Sequence, residues 1–378
     1  YESNYFIFDV KQNLMIVQDI INQLEILAPL AYAEKFDNVG LLVGDKNTKV
    51  SGVLVTLDTL PEVVDEAIAN KCNLVVSFHP IIFKGLKSIT GKTYVERVVQ
   101  KALKNDICIF AIHTALDNAF NGVNASICDA LDLKNKSILI PQQGTLKNLI
   151  TSVPITHADA FRSALFDVGG GVAGNYINCS FNYKGVGTFK GNEKSNPVLG
   201  STNEMKGFEE IKIEIVFKKH LEAIILKTLK ENHPYEEVAY TITTLENKNQ
   251  HIGMGMLGTL ELAKNEKDFI KFVKKRMNCR VIKHSKLLSK KIKKVAVLGG
   301  SGSFAIEAAK AAGADAFVSA DLKYHDFFSA ENQILLLDIG HYESEQYTKT
   351  LLVSYLIKKF PNFAVLLSKI DTNPIKYK

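Results

Sequence analysis

The sequence predicts an α/β protein made of two related halves, with a small α+β insertion between them. Three observations predict this. Apolar, strand-like runs alternate with amphipathic helices between residues 52 and 113. The rhythm breaks between 137 and 247, where glycine, asparagine and threonine become frequent. It returns after 290 on the plan of the first part. The chain therefore divides into a first α/β half at 15–136, an insertion at 137–247 and a second half at 248–378, with 1–14 set apart.

The elements follow in order. Residues 1–14 lack a basic stretch followed by a hydrophobic one, so they do not read as a signal peptide; a leader or extension is expected. Met15 opens an amphipathic helix, MIVQDIINQLEILAPLAYA. GVLVTLD (52–58) reads as a strand, and LPEVVDEAIANKC as a helix with Pro61 in its first turn. NLVVSF is the next strand, YVERVVQKALKND the next helix and ICIFAIH (107–113) another strand. In the insertion, NLITSVPI, YINCSFNYKGVGTF and IKIEIVFKK read as strands, and HADAFRSALFDV and HLEAIILKTLKENHP as helices. Beyond it, KVAVLGGSGSFAIEAAKAAGADAFVSADLKYHDF repeats the plan of GVLVTLDTLPEVVDEAIANKCNLVVSFHPIIF. Each is strand, turn, alanine-bearing helix, strand, then a histidine.

Composition narrows the class. Of 378 residues, 46% are hydrophobic and 23% charged, which describes a globular protein able to bury a sizeable core. The net charge of +6 is mild, and no ordered arginine and aromatic stripe accompanies it, which argues against nucleic acid. The basic run KLLSKKIKKV (286–295) reads as a solvated helix end or linker. No stretch approaches the roughly 18 uninterrupted apolar residues of a spanning helix, so no membrane partner is expected. The five cysteines are scattered without a CxxC pair, several within apolar runs, as expected of a reducing, cytoplasmic compartment.

Four strands deliver His79, His113, His325 and His341 to their carboxyl ends, where open α/β sheets form their functional crevices. Two carry a carboxylate four residues on: His113 with Asp117, and His341 with Glu345. On a helix that spacing puts both groups on one face. A histidine capping one strand is ordinarily a hydrogen-bonded structural residue. Four at corresponding strand ends, two with spaced carboxylates, point instead to a site for zinc, iron or manganese. His157, His220, His233, His251 and His284 have no such company and read as structural or surface residues. The cluster VLGGSGS (297–303) opens a helix after a strand; a tight turn or an anion cradle explains it equally. Lys84 and Lys87 read as exposed lysines that a small anionic substrate could meet.

Six ordered stretches, FDNVGLLVGD (36–45), LVVSFHPIIFKGLKSI (74–89), IHTALDNAFNGVN (112–124), LGGSGSF (298–304), ADLKYHDF (320–327) and DIGHYESE (338–345), carry a resemblance. Together they resemble the NIF-three-like dinuclear metal-centre family, whose bacterial members are often labelled GTP cyclohydrolase 1 type 2 homologues. The insertion, with HPYEEVAY (233–240), resembles the PII/CutA-like, ferredoxin-like module of its longer bacterial members. The resemblance implies His79, Asp117, His341 and Glu345 as ligands to one or two divalent ions per chain. It implies His113 as a further ligand or close neighbour, and assembly as a homohexamer. Where the family has a first histidine in its His-His-Pro element, this chain has Phe78, which cannot coordinate. One of the two ions has therefore lost a ligand unless His113, His325 or water replaces it.

The resulting expectation is a metal-dependent hydrolase acting on a nucleotide or related substrate. Asp117 would bridge or orient the ions, and His113 or His325 would move protons. The alternative is a metal-binding regulatory or scaffold protein without turnover. The two separate on substrate turnover that disappears with chelation.

Overall fold

The computed structural model describes residues 15–174 and 176–378, so the expected leader at 1–14 lies outside the described residues. In chain order the strands are β1 (Gly40–Val43), β2 (Val53–Thr56), β3 (Leu74–Ser77), β4 (Cys108–Ala111) and β5 (Lys134–Gln142). Then come β6 (Leu146–Pro154), β7 (Phe181–Phe189), β8 (Lys206–Lys218), β9 (Tyr240–Leu245) and β10 (Asn249–Asn265). Last are β11 (Lys283–His284), β12 (Lys291–Ser301), β13 (Ala316–Ala320), β14 (Leu335–Asp338) and β15 (Val365–Leu367). They group into two compact units: the described residues up to 140 with 252–378, and residues 141–251.

In the larger unit one sheet has the order β1-β4-β3-β2-β15 and the other β11-β14-β13-β12-β10-β5. At the centre of each, three neighbouring strands run parallel: β2, β3 and β4 in one, β12, β13 and β14 in the other. β2, β3, β4, β13 and β14 are buried along their length because both faces are covered, and β12 is buried over residues 295–298. Alternation of side chains decides which core each residue joins. Val55, Val76 and Phe110 enter the same hydrophobic cluster as Val297, Val318 and Leu337. The helices Val17–Leu27 and Thr348–Lys359 add Ile20, Leu24, Leu352 and Leu356 to it. The intervening Leu54, Val75 and Ile109 turn the other way, onto the helices Pro61–Ala69 and Tyr94–Lys104. Ala296, Phe317 and Leu336 likewise pack on Ile306–Ala311. Truncating a fully buried ring such as Phe110 costs about 3–5 kcal/mol in cores of this kind.

Local signals set the helix ends. Thr93 accepts the Glu96 amide at 3.2 Å as N-cap, and Pro61 occupies the first turn of its helix. Pro29 follows the end of the first helix, which the sequence reading ran on through Ala33. After β14 the chain forms two helices, His341–Glu345 and Thr348–Lys359.

The smaller unit is one antiparallel sheet, β7-β8-β6-β9, with the helices Ala158–Asp167 and Glu222–Asn232. Its element order is β-α-β-β-α-β. Leu149, Phe161, Leu165, Ile213, Ile215, Phe217, Ile225 and Leu229 form its core.

None of the described helices is long and apolar enough to cross a membrane. The five cysteines are free, and all but Cys179 are buried.

Candidate metal centre

Parallel strands end together, so whatever follows each of them meets at one edge. His79 follows β3 by two residues, and its amide donates to the Leu57 carbonyl at 2.9 Å. His113 follows β4 and donates its amide to the Phe78 carbonyl at 2.9 Å. His341 opens its short helix after β14, where Gly340 adopts φ 92. Glu345 stands one turn further on, 3% exposed.

His79 Nε2 and His341 Nε2 each lie 3.2 Å from Glu345 Oε2. Among the described residues these three donors lie within 4.8 Å of one another. Yet Glu345 Oε2 is buried and has no partner of hydrogen-bond geometry. Three donors this close, with that oxygen left unpartnered, are a set that one ion could share. Each imidazole is held from behind. His79 Nδ1 meets Asp58 at 2.8 Å, His341 Nδ1 meets Asp321 at 2.7 Å and His113 Nδ1 meets Asp37 at 2.9 Å. Each carboxylate accepts the Nδ1–H, so that in the neutral ring the Nε2 lone pair is the one left for a metal.

The electrostatics agree. Burial alone would lower the His79 pKa, but the hydrogen bond to Asp58 and the Glu345 carboxylate beside the ring override that and raise it to about 10. For His341 burial likewise works against protonation, and Glu345 and Asp321 raise it to about 9. Burial would raise Glu345, but His341 and His79 hold it down at about 2. Asp117 goes the other way: burial and the nearby Glu345 charge push it well above the carboxylate range, with His79 and His341 opposing. Its Oδ1 is buried without a partner. Two unpartnered buried carboxylate oxygens beside two imidazoles are a donor set that a divalent cation would satisfy.

Glycines make room for this set. Gly300 has φ +67, and a Cβ there would sit 2.5 Å from Glu345 Oε1 and 3.4 Å from His341 Cε1. Its amide donates to Ser344 Oγ at 2.9 Å, and the Gly299 amide to Asn124 Oδ1 at 3.0 Å. These two amides are therefore engaged within the protein, and the tight-turn reading of the cluster describes them. Asn124 also donates to the Asp117 carbonyl at 3.0 Å, tying the two halves together behind the site.

Of the residues expected from the sequence, His79, His341 and Glu345 come together as donors, and Asp117 is electrostatically coupled to all three. The His113 ring packs 5.1 Å from that of His79, but its nitrogens are outside the donor set. The structure does not bring His325 into the set. It is exposed on the turn Tyr324–Ala330, its ring 5.2 Å from Tyr324 and 6.1 Å from Phe328. Phe78 is fully buried, with its ring 4.9 Å from His79 and edge-on to His113 at 5.4 Å. Sequence reasoning missed Asp37, Asp58 and Asp321. A signal was present: Asp58 and Asp321 closely follow strands that neighbour the histidine strands.

The Duf34/NIF3 (NGG1p interacting factor 3) family model matches residues 15–374. A Bacillus subtilis (strain 168) protein named GTP cyclohydrolase 1 type 2 homolog is 37% identical over 366 residues, 95% of this chain and 98% of that protein. Among solved structures, a Bacillus cereus protein related to NIF3 matches with TM-score 0.84 and 34% identity, over 97% of this chain and all of its own (100%). A Staphylococcus aureus protein matches with TM-score 0.77 and 31% identity, over 96% of this chain and 99% of that one.

Proposed function

The chain belongs to the Duf34/NIF3 family, and from that membership we propose that it is a divalent-metal protein of the hydrolase type, with an ion held by His79, His341 and Glu345. The observation that carries this is the convergence of two Nε2 atoms on one unpartnered Glu345 oxygen. A divalent ion there, zinc, iron or manganese, would polarise substrate and lower the pKa of water near neutrality.

The chain's own residues have separate tasks. Asp58 and Asp321 keep the protons of His79 and His341 on Nδ1 and fix the rings. Asp117 offers an unpartnered oxygen to orient water or to bridge to a second ion. His113, anchored by Asp37, keeps its Nε2 for proton transfer. Phe78 contributes no donor, which favours one tightly held ion over two. The substrate would be a nucleotide or related small anion, in keeping with the name its relatives carry. The insertion would be a PII/CutA-like module, and the protein a cytoplasmic homohexamer.

Metal content per chain of protein purified without added metal, beside His341→Ala, tests this reading. About one ion, absent in the variant, is expected for a three-donor site. No ion in either protein overturns the reading. GTP turnover with and without chelator then separates hydrolase from scaffold. The buried Phe78 ring, which removes an expected ligand, is what favours the scaffold reading.

A further inference from the structure

The stretch HPYEEVAY (233–240) has no role in the metal centre, yet it builds a second cavity wholly inside the smaller unit. The cavity holds about 320 Å³, the scale of small-molecule sites. Phe189, Pro197, Val198 and Tyr235 give it apolar walls. Phe189 stacks on Phe208 at 5.6 Å and lies 6.5 Å from the Tyr235 ring. The Asn196 amide donates to Glu236 at 2.9 Å and ties the loop after β7 to the stretch before β9.

Three glutamates line this space, Glu210 half-buried and Glu236 and Glu237 exposed at its mouth, and no lysine, arginine or histidine lines it. None of the three forms an ion pair with a basic side chain among the described residues. Glu210 is specifically placed. Its Oε1 accepts from Tyr235 Oη at 2.6 Å, while its Oε2 lies where a side chain at position 187 would be. Gly187 thus opens the strand so that the carboxylate can reach over it. The nearby histidine adds no positive charge. His233 donates Nε2–H to the Ser152 carbonyl at 3.0 Å and accepts the Tyr235 amide on Nδ1 at 3.1 Å, which fixes the neutral ring.

We propose that this cavity binds a small organic ammonium ion with an apolar body. The ammonium would be held by Glu210, with Glu237 and the Tyr235 and Phe189 faces around it. Apolar walls exclude inorganic cations that keep their water, and the uncompensated carboxylates exclude anions.

Calorimetric titration of the full chain with phenethylamine, phenethyl alcohol and phenylpropionate tests this. The amine is expected to bind saturably, the alcohol about tenfold or more weakly, and the acid not at all, as one charge-assisted hydrogen bond requires. Glu210→Gln is expected to reduce amine affinity to that of the alcohol while the unfolding temperature holds. Glu237→Gln serves as the second variant, with a smaller loss. No saturable amine binding, equal binding of amine and alcohol, or amine affinity unchanged in both variants would each overturn the proposal.

Discussion

His79 comes from the first half of the chain and Glu345 from the second, and their Nε2 and Oε2 atoms stand 3.2 Å apart without a hydrogen bond between them. Without a metal this contact is an imidazolium–carboxylate pair near neutral pH. A cation entering there must displace protons from imidazoles raised to about 10 and about 9.

Metal binding should therefore release protons. Near neutral pH about two per ion are expected, one from each imidazole, because both must be neutral to coordinate. Titrations in buffers of different ionisation enthalpy measure the number. Affinity should rise with pH up to the range of those raised values. A pH-independent affinity would mean that the two histidines are not the ligands.

The same shifts set the stability of the metal-free protein. A folded histidine pKa above the unfolded 6.5 means stabilisation that is complete below 6.5 and lost as pH rises through about 9 to 10. Glu345, depressed from 4.5 to about 2, stabilises above 4.5 and loses that contribution as pH falls towards 2. Denaturation midpoints across pH, with chelator present, should fall at both ends. Bound metal should flatten the alkaline side, since coordinated imidazoles no longer titrate.

Asp58→Asn should loosen the ring of His79 without touching the ion. Metal affinity is expected to fall roughly 10–100-fold, the usual effect of losing a carboxylate behind a ligand histidine. Asp321→Asn should act the same way through His341. Thermal unfolding of the metal-free variants controls for misfolding.

Gly300→Ala adds a Cβ 2.5 Å from Glu345 Oε1 on a backbone at φ +67. The left-handed conformation costs about 1–2 kcal/mol, and the displaced carboxylate weakens the metal site as well. Stabilisation by added metal should shrink more than stability itself. A variant that keeps the full metal-induced rise in unfolding temperature would show that Glu345 can move aside.

Phe78→His should lower metal-free stability by about 1–3 kcal/mol, because a polar ring replaces one buried in the core. It should also raise metal content from about one to about two ions per chain, by setting a donor beside the His79 and His113 rings. Unchanged content measured by elemental analysis would mean that Phe78 does not limit the number of ions bound.

Much of this was legible along the chain because it is local. Runs such as LVVS and CIFA name buried parallel strands, and the spacing of His341 and Glu345 places both on one helical turn. Other elements were not legible. β10 interrupts its apolar residues with glycines, and β15 is only three residues long, too short for periodicity to show.

The amino-acid sequence was enough for the mixed α/β class, the family and the histidines that follow the strands. Tertiary structure alone decided which of those histidines meet, and which carboxylate stands behind each. Asp58 reaches His79, and Asp321 reaches His341, across neighbouring parallel strands joined by helical crossovers, so no short spacing connects them. Asp37 reaches His113 in the same long-range way. Packing also decided that Phe78 fills the core and that His325 stays outside the donor set. A side chain's chemistry is written in its identity, but its partners are set by the sheet that folds distant segments together.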